Sequence, residues 1–394
     1  MINPLTPLLA RSIGLRMAMG LVLCLLLLGA DLWHRVPVPP QPRAVWPTSG
    51  QDARGVSLLA QARGLIPMPV NTPAAHSSTL LAMPAGHAST LLAFWFAGSR
   101  ESAPDVQIAA SHFDRATQQW SPARIVVNRF LGQYKLGFGL RRLGNPVAWR
   151  DGQGRIHLFI VATGLGGWAA GRIMHLMQVD DGKDFSRLKF RPVRVLPLSW
   201  LWKTSHLVRA MPLPLADGGM VLPVYFELGY KYPVALRFDA AGEFRGMVRI
   251  SHRGHLLQPT LLMRSETDWL ALMRDNSAEK KIRAAQTLDG GQHWQDLPDL
   301  PMPNPDASIT GLALQPGLMF LAHNPLPDSR SVLDLSVSQD GLQWTQLLTL
   351  ERGDEKSEYS YPSMAWADNS LWVSYTDQRR AIAWQRFALT SSPR

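Results

Sequence analysis

Beyond residue 36 the chain is a succession of short apolar runs separated by polar turns. Typical runs cover residues 91–96, 156–161, 220–225 and 371–375. They are short and rich in β-branched and aromatic side chains. No stretch of helical period competes with them, so the pattern predicts many short strands. One turn between such runs recurs. Thr287-Leu-Asp289-Gly-Gly291-Gln-His-Trp294 fits Ser/Thr-x-Asp-x-Gly-x-x-Trp, and Ser338-Gln-Asp340-Gly341-Leu-Gln-Trp344 is a copy one residue shorter. Weaker copies end at Phe185, Phe244 and Trp120. The closing aromatics at 120, 185, 244, 294 and 344 are 65, 59, 50 and 50 residues apart. A period near 50 marks one supersecondary unit used many times. Within each unit the Asp accepts backbone N–H groups of its own turn. The Gly supplies a positive φ, and the Trp folds back over the hairpin.

The first 35 residues follow another pattern. Arg11 and Arg16 precede an apolar run over 17–30. A positive segment followed by an apolar core reads as an export signal or, counted over residues 13–33, as an uncleaved membrane anchor. Either way the rest of the chain is expected outside the cytoplasm, in the periplasm or facing it. The proline-rich stretch that follows, 36–64, reads as a linker, which leaves 65–390 as one large domain.

Composition adds three points. The 31 Gly and 30 Pro among 394 residues suit many strands and turns. Cys24 is the only cysteine and lies in the apolar run, so the domain has neither disulfide nor thiol chemistry. His175 and His206 are too isolated to argue a metal site, and no cofactor is expected. The formal net charge is +10, with basic residues scattered rather than clustered. That suits an acidic glycan or membrane surface better than nucleic acid.

The recurring turn resembles the Asp-box of bacterial neuraminidase repeats, and over roughly 65–390 the chain is similar to the sialidase-type β-propellers. The resemblance implies an all-β, six-bladed propeller that acts on a terminal, acidic sugar of a glycan. It also implies a retaining exo-glycosidase with a Tyr nucleophile, an Asp acid/base and three Arg that clamp the substrate carboxylate. Tyr359, in Glu358-Tyr359-Ser360-Tyr361, occupies the nucleophile position, with Tyr361 as the neighbouring alternative. Arg274 and Arg330 occupy the second and third arginine positions. His76 stands where the first would be. Asp105, after Ala97-Gly-Ser-Arg100, matches the acid/base position, and Arg100 is expected on the pocket rim. Gln258 replaces the Glu that would activate the tyrosine. Glu227, which alternates with Phe226 and shares a strand face with Tyr225, is the expected substitute partner for Tyr359, and Glu227 and Tyr225 are expected to line the pocket. Gln258 and His76 also leave open a propeller that binds glycans without cleaving them.

Overall fold

The computed structural model describes residues 6–34, 43–48, 56–130, 139–180, 182, 184–198 and 204–391. The strands form six antiparallel sheets. Their innermost strands are Ala74–Ala82, Arg142–Arg150, His206–Val208, Leu256–Met263, Thr310–Gln315 and Tyr359–Ala367. Neighbouring sheets touch in sequence order, and Tyr359–Ala367 packs back on Ala74–Ala82 to complete a ring. The expected six-bladed propeller is therefore the fold. Apolar side chains fill the spaces between blades, with Trp95, Trp269, Trp372 and Phe159 among the largest fully buried ones.

Ring closure is made by strand pairing. The last blade takes its outer strand from the start of the domain, where Val56–Leu65 pairs antiparallel with Ala381–Ser391. The stretch read from composition as a linker thus contains a strand. Its partner lies more than 300 residues away (Ser57 pairs with Thr390), so no local pattern reveals the pairing.

Each blade presents two ends. Inner strands begin where second strands end, as in the pairs Ala74↔Gly98, Leu256↔Asp275 and Tyr359↔Asp377. This end is the front face. The recurring turns lie at the back. In the best copy Asp289 Oδ1 accepts the N–H groups of Gln292 and His293 at 3.0 Å each, and Thr287 Oγ1 accepts that of Gly291 at 3.0 Å. The second copy repeats this through Asp340, Ser338 and Gly341. In both, the indole N–H closes the turn on a glycine carbonyl, Trp294 on Gly291 and Trp344 on Gly341. Gly341 sits at φ 75°, and a Cβ there would come within 2.5 Å of Leu270 Cδ1. Only glycine fits.

The N-terminal helix Thr6–His34 contains the apolar window Ile13–Ala30, of mean hydropathy 2.2 and with none of it buried. By length and composition it is able to cross a membrane, and a signal sequence passes the same test. Residues 43–48 then dock on the back face. Ala44 N–H donates to Glu266 O, Val45 N–H donates to Pro214 O, and Ala216 N–H donates to Arg43 O.

A chain beginning at residue 66 lacks the closing strand. Its thermal midpoint is expected to fall by at least ~5 °C relative to a chain beginning at residue 43, measured by circular dichroism. Equal midpoints would show that closure does not depend on Val56–Leu65.

Candidate active site

A regular β-strand sends alternate side chains to opposite faces, so an inner strand cannot by itself turn several side chains toward the ring axis. Four of these strands break the alternation with a bulge near the front face. The register shifts between His76 and Thr79, Gly144 and Val147, Leu257 and Thr260, and Ser360 and Ser363. Inside each shift lies a non-glycine residue with positive φ: Ser77, Asn145, Gln258 and Tyr361. In the other two blades Ser205 and Asp306 take positive φ just before the inner strand. Such residues cost about 1–3 kcal/mol each, and bulges re-aim side chains beside active sites.

The result is a polar cluster at the front of the ring. Arg274 donates from Nε to Asp306 Oδ1 at 2.6 Å and from Nη1 to Gln258 Oε1 at 3.1 Å and the Tyr361 hydroxyl at 3.4 Å. Gln258 Nε2 reaches the hydroxyls of Tyr225 and Tyr361, both at 3.4 Å. Arg330 donates from Nη2 to the carbonyl of Asp306 at 2.6 Å and pairs through Nη1 with Glu358 at 3.2 Å. Glu358 also holds Arg379, which bonds Glu101 in turn. The ring of His76 lies 4.2 Å from that of Tyr361 and 5.4 Å from that of Phe96. Beside it opens a cavity of about 530 Å³ whose lining includes His76, Phe96, Arg100, Glu101 and Arg379.

The electrostatics follow from burial and pairing. Burial raises the Glu227 carboxyl above its ordinary value, while Lys231 and Arg274 pull it down and Asp306 pushes it up. Burial, then Glu227 and Tyr361, raise Tyr225. Burial would lower the Arg274 guanidinium, but Tyr361 and Asp306 hold it above its ordinary value. Burial also favours the neutral form of Glu358, yet Arg379, the Ser360 hydroxyl and Arg330 outweigh it and hold that carboxyl at about 2. No group of three or more His, Cys, Asp or Glu among the described residues is arranged to hold a metal.

Most of the sequence-predicted residues converge, and two do not. Arg274 and Arg330 meet at Asp306, with Gln258, Tyr225 and Tyr361 in contact with Arg274 or with one another. Glu227 stands within electrostatic reach of Arg274 and Asp306. Tyr359 lies apart from this group. Its half-buried side chain packs against the core that includes Leu333, Phe320 and Val373, with its ring 6.5 Å from that of Tyr375. Burial and the carboxylates of Glu351 and Asp377 raise its hydroxyl pKa, and Gln378 and Ser357 act in the other direction. The bulge is the reason: Tyr361 at φ 54° breaks the two-residue alternation, so the two tyrosines face different surroundings. Glu227 therefore is not the partner of Tyr359. Asp105 lies apart as well. It is exposed, and both its carboxylate oxygens accept from Ser99 at 2.9 Å, one from the backbone and one from the hydroxyl. It caps its own loop, and Glu101 of that loop lines the cavity instead.

Asp306, Glu358, Arg379 and Arg209 belong to the same cluster and were not singled out from sequence as site residues of first importance. A signal for the bulges does exist. Asn145, Gln258 and Tyr361 each precede a proline in an inner strand. Proline cannot donate to a ladder and is confined to edges and bulges, so each X-Pro pair marks the place where the strand is broken.

Residues 89–373 match the family described as a BNR repeat-like domain. No curated protein matches the chain. Among solved structures it is similar to a Hadza microbial sialidase, at 17% identity and TM-score 0.65, covering 82% of this chain and 66% of that one. It is similar to a Dyadobacter fermentans protein of unknown function at 12% and 0.64, covering 86% and 100%. It is also similar to Trypanosoma rangeli sialidase in complex with the inhibitor DANA at 13% and 0.64, covering 85% and 60%. The chain thus spans less than two thirds of the length of these sialidase structures. At such identities the likeness carries the fold, and function rests on the residues themselves.

The depressed Glu358 carboxyl has a consequence for stability. Its folded-state pKa of about 2 lies below the ordinary 4.5. Its contribution is present above about pH 4.5 and is lost as pH falls toward 2. Glu358→Gln is expected to remove on the order of 2 kcal/mol at neutral pH and to flatten the acid limb between those values. Denaturant titrations across pH read both effects, and an unchanged acid limb would contradict the pairing.

Proposed function

The chain belongs to the BNR repeat-like family, and with that membership as premise we propose that it is an exported retaining exo-glycosidase acting on a terminal acidic sugar. The observation that carries the reading is the polar cluster of Tyr361, Arg274, Gln258, Arg330 and Glu358, joined at its edge by His76 and Arg379, which line the cavity. In the proposed reaction the Tyr361 oxygen attacks the anomeric carbon as the bond to the leaving oxygen breaks. A carboxylic acid gives that oxygen a proton, the carboxylate so formed takes up the proton that the Tyr361 hydroxyl loses, and water then adds to the anomeric carbon, freeing the sugar and returning a proton to the Tyr361 oxygen. Glu227 is suited to donate the proton, because burial raises its carboxyl above the ordinary value and so favours the protonated form that an acid needs. Arg274 and Arg330 offer donors to the substrate's acidic group and hold Tyr361 in place.

A second reading is a propeller that binds acidic glycans without cleaving them. Gln258 favours it, since an amide stands against the Tyr361 hydroxyl and cannot take its proton.

The proposed location has a geometric corollary. Residues 43–48 are bonded to the back face while the cavity opens at the front. If the helix Thr6–His34 stays in a membrane as an anchor, the cavity opens away from that membrane, toward glycans in the surrounding compartment.

Turnover of a panel of acidic glycosides separates the readings. For the enzyme, Tyr361→Phe is expected to lower kcat by roughly 10³-fold or more with KM nearly unchanged, because only the attacking oxygen is lost. Tyr359→Phe is expected to change kcat by less than about 3-fold. Absence of turnover by the parent on every acidic glycoside favours the binding reading, and a Tyr359→Phe variant without activity would restore that residue as nucleophile.

A further inference from the structure

The guanidinium groups of the front polar cluster differ in how they are neutralised. Arg274 pairs with Asp306, Arg330 with Glu358, and Arg379 with Glu358 and Glu101. Arg209, which follows the inner strand His206–Val208, has no such partner. It is 2% exposed, and among the described residues no Asp or Glu lies in ion-pair range of it. Nη2 donates to the carbonyl of Pro362 at 2.7 Å, and the guanidinium carbon lies 5.1 Å from the centre of the Tyr361 ring. Nε is buried without a protein acceptor. Burial lowers this guanidinium to about 10, with only the phenols of Tyr361 and Tyr225 acting in the other direction. Taking a cation out of water costs several kcal/mol unless a negative charge compensates. The fold accepts that cost beside its central tyrosine and places no acidic side chain against the charge.

His76 points to the same spot. It is 2% exposed, borders the cavity and lies against Tyr361. Both its ring nitrogens are buried without a protein partner. Burial, and then Arg379, hold it neutral. A neutral imidazole offers one N–H to an oxyanion and does not add to the repulsion among the surrounding arginines. Arg209 and His76 therefore both lie against the Tyr361 ring with unused nitrogens, and Arg209 carries a charge that no described Asp or Glu compensates.

We infer that Arg209 and His76, which meet at the Tyr361 ring, form an anion-recognition point reached from the cavity that His76 lines, where the acidic group of the ligand becomes the counter-charge that Arg209 lacks. Arg274 and Arg330, each already neutralised by a carboxylate, contribute donors, while the preference for an acid over a neutral sugar comes from Arg209. This rests on the reading of the cavity as a sugar-acid site, but it does not require turnover.

The test is calorimetric titration of the full chain with N-acetylneuraminic acid and with glucuronic acid, each beside its methyl ester. The parent is expected to bind at least one acid tenfold or more tighter than its ester. Arg209→Met is expected to abolish that preference while leaving ester affinity unchanged. Arg209→Lys keeps the charge and is expected to retain part of the preference, and His76→Gln is expected to reduce it by a smaller factor. Circular dichroism establishes that each variant folds. If the Met variant does not fold, the Lys and His76→Gln variants carry the comparison. A parent with no preference, an Arg209→Met protein that keeps it, or a loss shared equally by acid and ester overturns the inference. Acid preference without hydrolysis by the parent leaves the inference standing and removes only the glycosidase reading. Hydrolysis that continues in an Arg209→Met protein with its acid preference intact does the reverse.

Discussion

The site depends on one backbone constraint: strands that meet a ring axis at their ends cannot stay regular and also turn neighbouring side chains into one cavity. Breaking the two-residue alternation requires an extra residue in a conformation that L-amino acids disfavour. Here the break occurs near the front ends of the inner strands, at Ser77, Asn145, Gln258 and Tyr361. Two of these four are central to the polar cluster. Gln258 Nε2 and Arg274 Nη1 both reach the Tyr361 hydroxyl at 3.4 Å. The strain held at the bulges, on the order of 1–3 kcal/mol for each, is borne by the rest of the ring.

The division of labour between the two faces follows from that. The back face carries the stabilising features: the Asp289 and Asp340 turns, and the docked segment 43–48. The Val56–Leu65 strand, outermost in the last blade, ties the start of the domain to its end. With the ring closed, the front loops are free to carry charged and strained residues. A chain of ion pairs and hydrogen bonds runs from Glu101 through Arg379, Glu358, Arg330 and Asp306 to Arg274, linking the first and last blades with the fourth and fifth. Such a network keeps the Tyr361 hydroxyl in one place because each member constrains the next.

The fold was legible because its signal repeats. The turn at Thr287 and its copy at Ser338 state the period, and the hydrogen bonds of Asp289 and Asp340 explain why those residues recur. Arg274 and Arg330 were legible from their places before the recurring turns. Tyr359 was preferred to Tyr361 because two-residue alternation treats both alike until a bulge separates them. Asp105 looked like a site residue because a capping Asp and a catalytic Asp have the same local sequence, and only the Ser99 contacts distinguish them. The closing strand lay hidden because its partner is distant in sequence. Arg209 has no motif at all: its importance is the missing carboxylate, which is a property of the packed structure. The X-Pro pairs at 145, 258 and 361 are the one local trace of the bulges.

The central claim is that the inner-strand bulge makes Tyr361, and not Tyr359, the reactive residue of the cavity. Intact-mass analysis and peptide mapping after incubation with an activated, fluorinated sugar acid test it directly, because fluorine beside the anomeric carbon slows release of a sugar once it is attached to the tyrosine. The account expects one sugar per chain, attached to the Tyr361 oxygen and absent from the Tyr361→Phe protein. Attachment at Tyr359, or a protein left unlabelled by every sugar acid that it binds, would contradict it.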